Sequence, residues 1–276
     1  MSKIPGGTYG ILASGQSIYD YSATPCCAVG TRLPMGDRVF YYGMVSTTVA
    51  RGDLLAPDST DGGPWVLAVD GSCVAITAAN SIFGKEIGEP DKAIPAAMAV
   101  GQRRIGITHA DKLDGIIAHQ LKDGYIFLND TGGVQQVYKI KDNGAHSGVT
   151  TDVVEILLYD EVRAVTVDAS CSVCIMQNGY MNLALCDSAV DEGFVSGVAM
   201  APGTTTYPYI WVQTWGPSVV SSHTSTAHAG TNMVLSTTAG KATIESTGDI
   251  LPVIGWGICD VATAGDGAPI DLRIRP

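Results

Sequence analysis

No stretch of this chain approaches the roughly 18 consecutive apolar residues of a membrane-spanning helix, and its opening residues, Met-Ser-Lys-Ile-Pro-Gly-Gly, lack the continuous apolar core of a secretory leader. A soluble protein made without a Sec signal is expected, with no membrane partner. Basic blocks are missing too: 16 Lys plus Arg stand against 27 Asp plus Glu, a net charge of −11. That surface adds to the repulsion a DNA-binding protein must overcome at the phosphates, so nucleic acid is not an expected partner. Aromatic residues make up only 7% and charged residues 16%, while 46% is hydrophobic, which leaves much Ala, Val, Thr, Ser and Gly and favours strands and turns. The 33 glycines and 13 prolines are scattered between apolar runs without a collagen period and read as turn punctuation.

Catalytic signatures are also sparse. There is no G-x-S-x-G elbow, and Gly15-Gln-Ser17 has no evident base nearby. Asp130-Thr-Gly-Gly133 lacks the Lys-Ser/Thr ending of a phosphate loop and reads as a turn. His109, Asp111, Asp114 and His119 are the densest polar cluster. On a helix a ten-residue offset leaves His109 and His119 about 15 Å apart along the axis, too far to share an ion. Glu155 and Asp160 are a possible carboxylate pair, but a glycosidase needs a set separation across a cleft that spacing alone does not provide. A hydrolase would have to join a Ser, Asp or Glu to His109, His119, His146, His223 or His228. No catalytic residue, metal or cofactor is expected.

Seven cysteines are an odd number, and they look unlike a disulfide framework: Cys26 and Cys27 are adjacent, while Cys73, Cys186 and Cys259 stand alone in apolar surroundings. Cys171-Ser-Val-Cys174 has the spacing of a zinc half-site or redox pair. It lies in an alternating run, however, so the two thiols are expected on opposite faces of one strand, and no second half-site exists.

What the chain does contain is a succession of strand patterns. Arg38-Val-Phe-Tyr-Tyr42 follows a turn at Gly36-Asp37, and Ala50 to Leu55 reads as a turn and strand. Trp65 to Val69 and Ser72 to Ala78 are expected to form a hairpin across Asp70-Gly71, and Gly124 to Asn129 with Val134 to Ile140 another across Asp130-Thr-Gly-Gly133. Strands are expected at Val153 to Tyr159, Val162 to Ile175, Asp249 to Cys259 and Pro269 to Ile274. One helix is expected over 108–122, where Thr108-His-Ala-Asp111 has the spacing of a capping box and Leu113, Ile116, Ile117 and Leu121 follow at helical intervals. In the aromatic strand from Tyr207 to Pro217, closed by Gly216-Pro217, residues Tyr209, Trp211, Gln213 and Trp215 alternate with Ile210, Val212 and Thr214. One face carries rings and the other β-branched groups, so both faces can be covered. Tyr209, Trp211 and Trp215 suit either a core strand or a stacking platform for a sugar or partner protein.

The order of these landmarks, from Gly30-Thr-Arg32 and Gly36 to Tyr42 through Gly52 to Leu55, Gly124 to Asp130, Val137 to Ile140, Trp211 to Gly216 and Ile254-Gly-Trp-Gly-Ile258, resembles that of the capsid decoration, or cement, proteins of tailed bacteriophages over roughly residues 30–276. The resemblance implies a structural virion protein on the capsid exterior, made in the host cytoplasm, that clamps copies of the major capsid protein and supplies no catalytic residues. A carbohydrate-binding or adhesin-type virion module using Trp211 and Trp215 is the alternative, and an uncharacterised hydrolase is a third reading.

The expected architecture is all-β, a barrel or sandwich with one short helix. It comprises an extended N-terminal arm over 1–30, a β domain over 31–180 and a second β subdomain, or a continuation, over 181–276, divided at Asn178-Gly179. A homo-oligomer, dimer or trimer, suits the symmetry of a shell. Ile11, Leu12, Ile18 and Tyr21 are apolar yet too irregularly spaced for a core of their own, so the arm is expected to bury them against a partner.

Overall fold

The computed structural model describes residues 16–57, 67–69, 72–74, 101–108, 118–129, 135–145, 153–163, 172–186, 195–223, 229–245, 252–259 and 267–274. The fold is all-β, with no helix among the described residues. Two compact units are nested in the chain: Met1–Pro64 with Gly179–Pro276, and, inserted between them, Trp65–Asn178. The Asn178-Gly179 step is thus the point where the chain re-enters the first unit, and residues 31–57 share a sheet with residues beyond 180.

The first unit opens with β1 (Tyr21–Ser22), β2 (Arg32–Met35), β3 (Arg38–Met44) and β4 (Leu54–Pro57). The insert supplies β5 (Leu67–Val69), β6 (Ser72–Val74), β7 (Arg104–Thr108), β8 (Tyr125–Asn129), β9 (Gln135–Asn143), β10 (Val153–Leu158) and β11 (Ser172–Met176). The first unit then resumes with β12 (Leu183–Leu185), β13 (Gly197–Ala199), β14 (Tyr209–Ser221), β15 (Asn232–Leu235), β16 (Ala242–Ile244), β17 (Val253–Gly257) and β18 (Gly267–Arg273).

The insert is one seven-stranded sheet ordered β5-β11-β8-β9-β10-β7-β6. Its end strands belong to adjacent stretches of chain, Val69 closing β5 and Ser72 opening β6. Three residue steps span at most about 11 Å, so the sheet has to curl until its ends nearly meet. The hairpin expected across Asp70-Gly71 is therefore absent: β5 pairs with β11 and β6 with β7. By contrast β8 and β9 pair antiparallel from Tyr125↔Lys139 to Asn129↔Gln135, as expected of the Asp130-Thr-Gly-Gly133 hairpin. Period-two alternation sends Ile126, Leu128, Tyr138 and Ile140 into a core shared with Ile105, Ile107, Val154, Ile156 and Ile175.

The helix expected over 108–122 does not appear in its described parts. Thr108 ends β7, residues 118–123 form turns, and His119 (φ 70°) and Asp123 (φ 62°) are left-handed, which an α-helix excludes. Residues 109–117 lie outside the described residues. Leu121 is nevertheless fully buried, so its apolar signal was that of a core turn. Of the strand expected over 162–175, the described parts are a loop at Val162 and Arg163 and the strand β11.

The first unit is an eleven-stranded sheet with the path β12-β4-β13-β14-β18-β17-β15-β16; β1 and β3 also pair with β14, and β2 with β3. The β2–β3 hairpin turns at Gly36-Asp37 with φ +63° at Gly36, the first-position left-handed residue of a type II′ turn. This sheet curls as well. Gly240, between β15 and β16, accepts from Leu54 N–H and donates to the Cys186 carbonyl, both at 2.8 Å, which ties one end of the path to the other. Leu54, Ala56, Val198, Val220, Met233, Leu235, Ile254, Ala268, Ile270 and Leu272 fill the interior that results.

Strand β14 organises the unit. Both faces of its first half are covered, as its alternation implies. Ile210 and Val212 pack with Val45, Val49, Leu55, Leu183 and Ala199, while Trp211 packs with Ile18, Leu33, Phe40, Tyr42 and Met200. Gly216-Pro217 does not close the strand. β14 runs 13 residues, paired with β3 up to Trp215 and with β18 from Trp215 onward. A bulge separates the halves, since Gln213 pairs with Phe40 but Trp215 with Val39, leaving Thr214 as the extra residue. Gln213 is fully buried there. Its Nε2 lies 3.0, 3.2 and 2.9 Å from the carbonyl oxygens of Trp215, Gly216 and Pro217, and its Oε1 accepts from Arg38 Nη2 at 2.6 Å. Gly216 has φ +83°, and a Cβ there would overlap the Asp37 carbonyl, so only glycine fits the bend.

The described part of the N-terminal arm, residues 16–30, is fastened to its own chain. β1 pairs with β14 through Tyr21↔Ile210, Gly30 N–H donates to the Tyr42 carbonyl at 2.7 Å, and Cys26 N–H donates to the Tyr42 hydroxyl at 3.1 Å.

Replacing Gln213 by leucine keeps the side-chain size but leaves three wholly or partly buried carbonyls and one guanidinium contact without the amide. Gln213→Leu is expected to lower stability by about 2–4 kcal/mol in urea unfolding. A loss below about 1 kcal/mol would show that the bulge holds without its amide.

Candidate functional site

The second half of β14 differs from the first in having one open face. Val220 points inward, together with Ala268, Ile270 and Leu272 of β18 and Ile254 of β17, whereas Pro217 and Val219 point outward. The register sets Trp215 opposite Arg273, Pro217 opposite Asp271 and Val219 opposite Pro269, and Trp256 of β17 sits on the other side of Asp271. Three neighbouring strands thus build one outer face, continued by Ile258, which leaves Val219 55%, Trp256 44% and Ile258 48% exposed. Large apolar groups so exposed in neighbouring positions on a strongly acidic chain make this face the candidate site.

Arg273 orders this face. Its Cζ lies 4.4 Å from the Trp215 ring centroid and 5.2 Å from that of Trp256, and its Nη2 donates to Asp271 Oδ2 at 2.6 Å. Each cation–π contact is worth about 0.5–1 kcal/mol at an exposed site, enough to fix the rings before any partner arrives. The guanidinium also occupies ring surface that a stacked sugar would need.

The aromatic residues expected to share one role have separate ones. Trp211 is 4% exposed and belongs to the core, Tyr209 is half-buried and stacks with Tyr42 at 6.0 Å, and Trp215 is half-buried under Arg273. Among the arm residues, Ile18 is 6% exposed and already packed against Phe40 and Trp211 in its own chain, so its expected burial against a partner is corrected. Tyr21 is 52% exposed, edge-on to Tyr207 at 5.7 Å, and Ile11 and Leu12 lie outside the described residues.

The polar candidates that lie among the described residues do not converge. His119 Nδ1 meets Asp142 Oδ1 at 2.7 Å, and His223 Nδ1 meets Thr238 Oγ1 at 2.9 Å. Glu155 is buried in β10 with its Oε1 3.8 Å from Arg104 Nε, Asp160 is exposed, and the Ser17 hydroxyl accepts from Tyr19 N–H within a local turn. His109, Asp111, Asp114, His146 and His228 lie outside the described residues, as does Cys171; Cys174 lies on β11. No group of three His, Cys, Asp or Glu that could hold a metal exists among the described residues.

Cys26 and Cys27 bring their sulfurs within 3.9 Å. Burial first, and then the adjacent Cys26, push the Cys27 thiol from an ordinary 9.0 up to about 12; burial likewise raises the Tyr42 hydroxyl above its ordinary range.

Reading the sequence alone misses Val219, Trp256, Ile258 and Arg273 as a site. Their signal was available in Ile254-Gly-Trp-Gly-Ile258 and the alternation before Arg273, but only strand pairing joins them. No protein-family model, curated protein or solved structure matches this chain.

Trp211→Ala is expected to cost about 3–5 kcal/mol in urea unfolding and Trp256→Ala less than about 1 kcal/mol; equal losses would contradict the separation of core from surface. The Cys27 thiol holds its proton more tightly folded than unfolded. Its contribution to stability is therefore complete below pH 9.0 and lost as the pH rises toward about 12. Iodoacetamide at about pH 8, read by peptide mass mapping, is expected to label exposed Cys259 while sparing Cys27.

Proposed function

We propose that this chain is a structural virion protein that binds the outer face of a tailed-phage capsid and stabilises contacts between major capsid protein subunits. The observation carrying this reading is the ordered, exposed apolar face of Trp215, Val219, Trp256 and Ile258 around Arg273. Aromatic and arginine side chains in one patch are what a protein interface concentrates. The net charge of −11 supports a place outside a DNA-filled shell, reached from the host cytoplasm. On this reading the chain acts without catalysis or cofactor, as a dimer or trimer whose weak contacts add on a symmetric surface. Ile11 and Leu12 are proposed as further anchors.

A carbohydrate-binding virion module is the second reading, favoured by two tryptophans flanking the polar pair Asp271–Arg273. The position of Arg273 over both rings counts against it.

The deciding experiment sediments undecorated expanded capsids with wild-type protein and with Trp256→Glu. Capture of wild type, weakened at least about tenfold by the substitution, is expected if one buried aromatic anchor is worth about 1.4 kcal/mol or more. Failure of the wild type to bind would overturn the proposal, and retention on a glycan array without capsid binding would establish the second reading.

A further inference from the structure

Beside the Trp215 face lies a cavity of about 330 Å³ lined by Tyr19, Arg38, Arg51, Met200, Val219 and Ile258, among others, with no Asp or Glu among the described residues of its lining. Two guanidiniums without a carboxylate are unexpected on a chain with 27 acidic residues. Neither makes an ion pair among the described residues, and each is held in another way. Arg51 lies over the Tyr19 ring with its Cζ 4.4 Å from the centroid, and Arg38 lies over Phe40 at 4.7 Å. Arg38 is fixed further by Gln213. That amide turns its nitrogen toward three carbonyls, so its oxygen has to face Arg38 Nη2. Arg38 Nε is buried with no hydrogen-bond partner. An arginine presents five N–H donors in a rigid fork, and Gln213 accepts from Nη2 of Arg38, leaving further donors of the fork for an acceptor brought from outside.

We propose that this cavity receives the carboxylate of an aspartate or glutamate from a partner protein, held between Arg38 and Arg51, while the neighbouring apolar residue of that partner rests on Val219 and Ile258. The proposal rests on the reading of the outer face as a protein-docking surface and adds the chemistry of what docks there. Charge complementarity selects an anion. The apolar part of the lining, Tyr19, Met200, Val219 and Ile258, selects a carboxylate on a hydrocarbon stem over a hydrated inorganic anion. At about 330 Å³ the space suits a side chain or two, at the small end of ligand sites.

The test is a titration followed by the NMR signals of the arginine side-chain Nε–H groups, with N-acetyl-leucyl-glutamate amide as the probe. The glutamine analogue and inorganic phosphate are the comparisons. Saturable shifts at Arg38 and Arg51 are expected for the glutamate probe, with binding at least about tenfold weaker for the glutamine analogue, because a hydrogen bond to a charged group exceeds one to a neutral group by about that factor. Arg51→Gln, at an exposed position outside the core, is expected to weaken the glutamate probe about tenfold without loss of fold. Equal binding of acid and amide, phosphate binding as tight as the dipeptide, or no effect of Arg51→Gln would each overturn the proposal. Because this assay contains no capsid, its failure leaves a positive sedimentation result standing, and a negative sedimentation result leaves the cavity's chemistry to be decided here.

Discussion

The buried amide of Gln213 joins the two halves of β14, and much of the first unit depends on that junction. Before the bulge, β14 is sandwiched between two apolar clusters; after it, the strand exchanges β3 for β18 and opens one face. A bulge disturbs the ladder, so backbone carbonyls beside it need other partners. The carboxamide meets them from within the same strand and passes its remaining acceptor to Arg38, so one side chain closes the sheet and aims a cation. Glycine at 216 is the other half of the same device, because the Asp37 carbonyl occupies the space of a Cβ.

Arginine serves the proposed interaction face in two ways. Arg273 is neutralised locally by Asp271 and spends its planar surface on two indoles, so it stiffens the face more than it charges it. Arg38 and Arg51 rest on Phe40 and Tyr19 and keep their charge free of carboxylates among the described residues. The result is an apolar rim beside a cationic cavity on an acidic protein, an arrangement suited to orienting a partner as well as holding it.

The arm shows how the same residues support different readings at different levels. Ile18 and Tyr21 have no periodicity, so their spacing cannot reveal a core. Ile18 nevertheless completes the cluster around Trp211, because β1 pairs with β14 and carries it there. Burial against one's own distant strand and burial against a partner leave identical marks on a sequence.

Local patterns by themselves determined the all-β class, the turn at Gly36-Asp37 before β3, the β8–β9 hairpin and the two-sided burial at Ile210 to Val212, because alternation and turn residues act over a few positions. They misled where a distant partner overrode them. Asp70-Gly71 is a sound turn pair, yet curling sends its flanking strands to opposite ends of a sheet, and Leu121 is apolar at helical spacing but belongs to a turn in the core. Gly216-Pro217 reads as a stop, while the carboxamide of a residue three positions earlier lets the strand continue. Val219 is far in sequence from Trp256 and Ile258, and nothing in the spacing says that it meets them. Only the pairing of β14, β18 and β17 puts them on one face, since strand neighbours are chosen by the whole sheet and not by the residues that end up side by side.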